Sequence, residues 1–497
     1  MKKLLTTLAL FMFLVNIISA QTDEDALRYS QTTFGGTARG IGVAGAFGAL
    51  GTDFTSLSIN PAGIALYRTN EFMFTPGLAF INSNSDFAKS SNEAKKYNFN
   101  VSNFGFVWNF PYDEKKVKGW KNISFGFGAN RSANFHNDIY YRGFNPSNSL
   151  ITSYVNKMNA QGSLSESSIE SYYPFDAYLA YKNNLIQLDA NGKYSTALFN
   201  GGLEQSKSIT TRGSITDYLI SLGANYSDKV FIGATLSIPG LRYRLESTYT
   251  EKDINDSITD FNSFSLTDNL TTTGVGINAK LGIIYKVNDF FRFGAAIHSP
   301  TYFSMSDKYD SKISSEFNSG PEERVSPSGI FNYGLTTPWK VIGSAAVIIK
   351  KYGFISLDYE FLDYSESFFN FNNNSTTEDK EYASQQNSLI NTKYTAASNL
   401  KIGGELVLDI FRIRAGYAMY GSPFNAEVAE SGFDNSSNHI TGGFGFREDN
   451  YFIDFGIVHS IIKTYNQTYT IANSNLVPGA KITSSANQFL ITVGFKF

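Results

Sequence analysis

Four cations, Lys280, Arg292, Arg412 and Arg414, fall in segments where apolar residues recur at every second position, and they occupy the polar parity of those segments. A period of two belongs to a β-strand, so the four point away from the apolar face. A guanidinium so placed can clamp a carboxylate through two hydrogen bonds, which makes these residues candidates for the head of an anionic ligand. Asp358, Glu360, Asp454 and Lys496 share the same parity. The other use for such a set is an internal ion-pair network that binds a strand wall to whatever fills the space behind it, with Asp53 as one partner.

Other chemistries lack residues to carry them. The histidines, His136, His298, His439 and His459, have no ligand spacing and the chain has no cysteine, so neither a metal site nor a disulfide framework is expected. Gly40-Ile41-Gly42-Val43-Ala44-Gly45 matches a dinucleotide fingerprint in letters only, because no strand precedes it and no βαβ pattern surrounds it. No G-x-S-x-G nucleophile elbow occurs. We expect no enzyme and no cofactor. A formal net charge of −3 leaves no footprint for nucleic acid.

The elements that must position the cations are strands, and the last of them is the clearest. Phe489, Ile491, Val493, Phe495 and Phe497 share one face, with Thr492, Gly494 and Lys496 on the other. Strand candidates fall near 71–80, 97–110, 120–131, 215–226, 230–250, 274–287, 290–303, 339–350, 352–366, 399–408, 410–421, 439–447, 451–464 and 487–497. Tight connections at Ser227-Asp228-Lys229, Asn288-Asp289, Lys351, Asp409 and Glu448-Asp449-Asn450 alternate with long polar ones. That rhythm, with aromatics at 15% and charged residues at only 17%, describes a transmembrane barrel with short periplasmic turns and long outer loops, and both termini in the periplasm. In the second strand the phase slips, since Tyr97, Phe99 and Val101 alternate on odd positions and Phe104, Phe106 and Trp108 on even ones. An extra residue near Ser102-Asn103, a β-bulge, would restore register.

Met1-Lys2-Lys3, the apolar run from Leu4 to Ile18 and Ser19-Ala20 read as a cleavable export signal. Residues 1–20 are therefore assigned to a signal peptide, 21–70, rich in glycine and without period, to a hatch inside the barrel, and 71–497 to the barrel and its extracellular loops. The longest loop, about 132–214, carries Tyr172-Tyr173-Pro174-Phe175 followed by a stretch read as a loop helix.

Asn60-Pro61-Ala62-Gly63, placed between the glycine-rich segment and the first strand, resembles the FadL/TodX family of outer-membrane proteins that transport hydrophobic compounds. Leu281-Gly282-Ile283-Ile284-Tyr285-Lys286 leading into Phe291 through Pro300, and Thr337-Pro338-Trp339-Lys340, carry further resemblance. The resemblance implies an all-β, fourteen-stranded antiparallel barrel in the outer membrane of a Gram-negative bacterium, with Asn60, Pro61, Ala62 and Gly63 in the hatch. Ligand, a long-chain fatty acid or hydrocarbon, would be captured at outer loops, with Tyr172, Tyr173 and Phe175 as candidates, and released sideways through a kink in the third strand. That kink maps to Phe125, Gly126, Phe127 and Gly128, where missing side chains either leave a gap or only make room for the hatch. The partners implied are membrane lipid and the hydrophobic ligand, with the chain acting as a monomer. Similar barrels with a glycine-rich N-terminus and Asn-Pro-Ala serve as cargo-shuttle subunits of type IX secretion, which is the rival reading.

Overall fold

The computed structural model describes residues 22–113, 118–198, 201–371, 376–471 and 477–497. The expected signal peptide lies outside the described residues. Alternation in the sequence becomes an antiparallel sheet that closes on itself as a barrel of fourteen strands. The first six are β1 (Glu71–Phe87), β2 (Ser90–Pro111), β3 (Trp120–Asn134 continued by Asn137–Asn145), β4 (Leu203–Tyr226), β5 (Val230–Lys252) and β6 (Phe261–Lys286). Next come β7 (Phe291–His298 and Tyr302–Phe317), β8 (Gly320–Val325, Gly329–Thr336 and Lys340–Ile348) and β9 (Gly353–Asp363 and Phe368–Asn370). The circuit ends with β10 (Ala396–Leu408), β11 (Phe411–Tyr420), β12 (Ser437–Arg447), β13 (Tyr451–Asn466) and β14 (Ala480–Lys496). Closure runs from Glu71 opposite Lys496 to Asp86 opposite Lys481.

Each expected strand is present and faces the expected way. Phe489, Ile491 and Phe495 are exposed on the outside while Thr492 is buried inside. The bulge in β2 is also present: Thr75 pairs with Asn103 and Pro76 with Val101, so Ser102 is the extra residue. Pro76 sits at this irregularity, where it has no ladder bond to donate.

The strands reach further toward the loop end than their alternation suggested. β1 and β2 run on through Ser83, Asn84, Glu93 and Asn92 to a turn at Ala88-Lys89, both left-handed with φ of 45° and 68°. Beyond the apolar band neither face needs to be hydrophobic, so the ladder continues where the period disappears. For the same reason the loop expected from 132 begins only after Asn145.

Among the described residues, three helices precede β1: α1 (Asp23–Ser30), α2 (Ala38–Gly42) and α3 (Ser56–Ile59), followed by a 3₁₀ turn at Pro61–Leu66. Their backbone cannot form a core alone, and its bonds go to the inward face of strands all round the sheet. Ala38 N donates to Thr492 Oγ1 of β14 (2.7 Å), Gly48 N to Asp358 of β9 (2.9 Å), and Thr33 N to the Ser132 carbonyl of β3 (2.9 Å). Thr441 of β12 donates to the Gly42 carbonyl (3.1 Å).

The loop end carries α4 (Leu150–Ala160), α5 (Glu166–Tyr172) and α6 (Ala177–Lys182) between β3 and β4, and α7 (Thr377–Lys393) between β9 and β10. The first three form a cap with its own apolar core, in which Ile151, Tyr154 and Met158 meet Tyr249 of β5 and Phe264 of β6. Ser149 caps α4 and also donates to Glu251, whose carboxylate takes the Leu150 N–H as well (2.8 Å). The expectation that both termini lie at the short-turn end is corrected for the described start of the chain. Asp23 accepts from Lys393 Nζ and Tyr394 OH, both at 2.9 Å, and its N–H donates to Gln386 of α7 (3.1 Å). A salt bridge and a tyrosine at the loop end thus hold α1 high in the barrel.

Because Arg39 pairs with Glu405 of β10 and Arg28 with the buried Asp25, trypsin added to barrel reconstituted in vesicles should leave both uncut while it removes exposed loop segments. Mass spectrometry of the fragments is the readout, and cleavage at either arginine in an otherwise intact barrel would refute this placement.

Candidate functional site

Inward-facing glycines decide how close the N-terminal segment can come to the wall. Gly223, Gly233 and Gly282 stand directly opposite one another on β4, β5 and β6. A methyl on them would collide with Ile64, with the Pro61 carbonyl and with Asn60 respectively. Into this trough Asn60 fits fully buried. Its Oδ1 accepts from Ala62 N (3.1 Å), while its Nδ2 donates to the Gly48 carbonyl (2.6 Å) and to the Ile283 carbonyl of β6 (3.1 Å). One amide therefore closes the Asn60-Pro61-Ala62-Gly63 turn and joins it to the wall. The glycine row on alternating inward positions was visible in the sequence, but only the pairing register shows that its members line up.

Gly126 and Gly128 belong to the same seat, which is the second of the two uses expected for them, room for the N-terminal segment rather than a gap. Their inward sides are filled by Leu57 and Ile64 and by Phe54, and Phe127 is exposed on the outside. The ladder is intact on both flanks, Gly126 pairing with Val107 and Ser221, and Gly128 with Gly105 and Leu219.

The wall opens higher up. β2 pairs with β3 only from Asn103 opposite Asn130 down to Pro111 opposite Asn122. At Arg131–Ala133 the register of β3 against β4 shifts, and the outer piece of β3 passes behind the β1–β2 hairpin. Side chains hold it there: Lys96 on Asp138 (2.8 Å), Ser83 on Asn137 (2.9 Å), Asn92 on the Arg142 N–H (2.8 Å), and Phe87 against Tyr141 with ring centres 4.9 Å apart. Among the described residues, Ser90–Ser102 has no ladder partner on that edge. Asn98, Asn100, Asn103 and Asn130, all buried, line the break, and Asn103 donates to Asn130 (2.7 Å) and to the Ala129 carbonyl (3.2 Å). Sequence reasoning missed these amides, whose inward parity was the available signal.

Beside the break a cavity lies between the N-terminal segment and the wall, lined by Thr32, Phe34, Arg131, Lys280, Lys340 and Lys401 among others. Asp217 and Glu360 complete its charges. Lys280 pairs with Asp217 (3.2 Å) and Lys401 with Glu360 (3.3 Å), whereas Lys340 donates to Thr32 (2.5 Å) and forms no ion pair among the described residues. Four cations thus face two carboxylates. Phe303, Ile342 and Pro338 supply apolar lining.

Of the cations expected to hold a ligand head, only Lys280 reaches this cavity. Arg414 is fully buried near the short-turn end, where it pairs with Glu405 (2.6 Å) and Asp454 (2.7 Å). Arg39 of the N-terminal segment joins through Glu405 (3.0 Å) and Arg447 through Asp454 (2.7 Å). This is the network alternative, with Arg39 rather than Asp53 as the link, since Asp53 accepts from Thr37 instead (2.8 Å). Arg412 bonds to the Asp409 and Phe411 carbonyls at the turn, and Arg292 lies on β7 without an ion pair among the described residues. In the cap Tyr172 is exposed, Tyr173 is buried in the apolar core, and Phe175 packs on Tyr309 (4.8 Å).

A fourteen-stranded barrel with the first strand closed on the last, and with a cavity behind a break at the third strand, defines the class as a FadL-type barrel fold. The structural neighbours say the same: the chain is similar to the toluene transporter TodX of Pseudomonas putida, at 12% identity over 93% of this chain and 99% of that one, TM-score 0.54. It is also similar to a FadL homologue of Pseudomonas aeruginosa, at 11% identity over 94% and 99% of the two chains, TM-score 0.55. No protein-family model and no curated protein sequence matches the chain.

Removing Arg414 leaves the buried Glu405 with Arg39 alone and the buried Asp454 with Arg447 alone, whereas Arg412 sits at a solvated turn. Arg414→Ala should therefore cost about 2–3 kcal/mol and Arg412→Ala less than about 0.5 kcal/mol. Urea midpoints followed by heat-modifiable gel mobility measure the difference, and equal midpoints would contradict the network.

Proposed function

We propose that the protein is an outer-membrane channel for passive uptake of hydrophobic small molecules, with long-chain fatty acids favoured over neutral hydrocarbons. The observation that carries this is the cavity, where an excess of cations meets apolar lining beside the break between β2 and β3. A carboxylate entering it would find Lys340, which among the described residues bonds to a threonine and forms no ion pair, while the tail lies against Phe34, Phe303 and Ile342. Each buried CH₂ contributes about 0.8 kcal/mol, which lowers the barrier to crossing the polar outer layer. The shared fold with a toluene transporter and a FadL homologue supports transport over catalysis.

In this reading residues 21–70 are the hatch, left in place after export and cleavage of the signal. Capture begins at the cap, where Tyr172 and Phe175 remain accessible to ligand and Tyr173 serves packing. Release is lateral, between the unpaired edge of β2 and the inward piece of β3, above the Gly126 and Gly128 position. An open strand edge is not tolerated against lipid unless it borders a wet or ligand-filled space, and the asparagines along this edge suit such a border. The barrel closes within one chain, so a monomer suffices.

Lys340→Gln should lower entry of laurate into reconstituted vesicles about tenfold and leave entry of toluene unchanged. Equal loss for both, or for neither, would mean that the cavity does not select a carboxylate.

A further inference from the structure

We propose that the outer surface of β4, β5, β6 and β7, just beyond the apolar band, binds the phosphate groups of an outer-leaflet glycolipid; this rests on the outer-membrane reading above. On β4 the exposed outward residues Tyr226, Leu222, Ile220 and Tyr218 end with Tyr218, level with Ile238 on β5, and Tyr302 on β7 stands opposite Ile277 of β6. Counting outward from Tyr218, the second row is Ser214, Arg242, Thr273 and Ser306, and the third is Arg212, Arg244, Thr271 and Lys308. With strands tilted about 40°, these rows stand roughly 10 and 15 Å above the tyrosine level, in the headgroup layer.

Arg212 and Arg244 are directly opposed on neighbouring strands, a placement that destabilises a sheet unless an anion lies between them. Arg212, Arg242, Arg244 and Lys308 are all exposed, and none forms an ion pair among the described residues. The nearest carboxylates on this face, Glu246 and Asp310, stand one row further out, and Asp310 is held by Asn269 (3.0 Å). Two forks and an ammonium across four adjacent strands match phosphate oxygens, which arginine binds in pairs of hydrogen bonds. Around them Thr216, Thr273, Ser304 and Ser306 offer hydroxyls at the right face for sugar, and the exposed Ile220, Leu222, Leu236 and Ile277 below offer a bed for acyl chains. A phosphorylated, acylated sugar satisfies all three zones at once.

The test uses full-length protein in mild detergent with rough lipopolysaccharide as the probe, read by native mass spectrometry. Wild type should retain the glycolipid through detergent exchange, and the triple variant Arg212→Gln, Arg244→Gln, Lys308→Gln should lose at least tenfold in retention. A second variant, Arg244→Glu, should lose as much from one site. Enzymatically dephosphorylated lipopolysaccharide should bind wild type no better than the intact form binds the variants. Unchanged retention by folded variants, or equal binding of the dephosphorylated form, would overturn the proposal. Laurate entry into vesicles free of glycolipid is measured on the same proteins: failure there counts against the channel and leaves the glycolipid result standing.

Discussion

Every backbone amide and carbonyl in the wall needs a partner, and the closed ladder from β1 round to β14 supplies one almost everywhere. That constraint gives meaning to the stretch beside the cavity where, among the described residues, the ladder between β2 and β3 stops. Between Ser90 and Ser102 the β2 edge faces an inward-displaced β3, held by Lys96, Ser83, Asn92 and Phe87 through side chains rather than through backbone. Such contacts cost less to separate than a run of ladder bonds. The wall is therefore weaker beside the cavity than where Gly126 and Gly128 lie.

The N-terminal segment depends on the same wall in a different way. Its turns have too few apolar residues to form a core, so closeness replaces bulk: Gly223, Gly233 and Gly282 let Asn60 reach the β6 backbone, and Arg39 reaches Glu405. Strand glycines weaken a sheet locally. Here the loss is offset by hydrogen bonds that the segment could make nowhere else.

Strand existence, facing and the bulge at Ser102 were legible because each rests on period two, which a one-sided apolar face imposes on sequence. The outer halves of β1, β2 and β6 were not, since a ladder between two wetted faces leaves no period. The roles of the cations were left as a choice between ligand head and ion-pair network, and that choice turns on partners far apart in sequence. Arg414 and Arg39 meet Glu405 across the barrel, and nothing local to either marks the meeting. Lys340 and Lys401 sat on the same inward parity as Lys280 and could have been grouped with it. Gly126 and Gly128 left gap and seat both open in the sequence, because glycine marks either, and only packing tells them apart.

The start of the described chain is fastened to Lys393 and Tyr394 near the loop end, while residue 71 begins its strand at the opposite end. The lower attachment is covalent, through the chain itself, whereas the upper one is a salt bridge and two hydrogen bonds to residues 386–394. The segment is thus a tether with one permanent and one exchangeable end: its upper end can be released by a change of side-chain partners alone, while its lower end cannot part from β1.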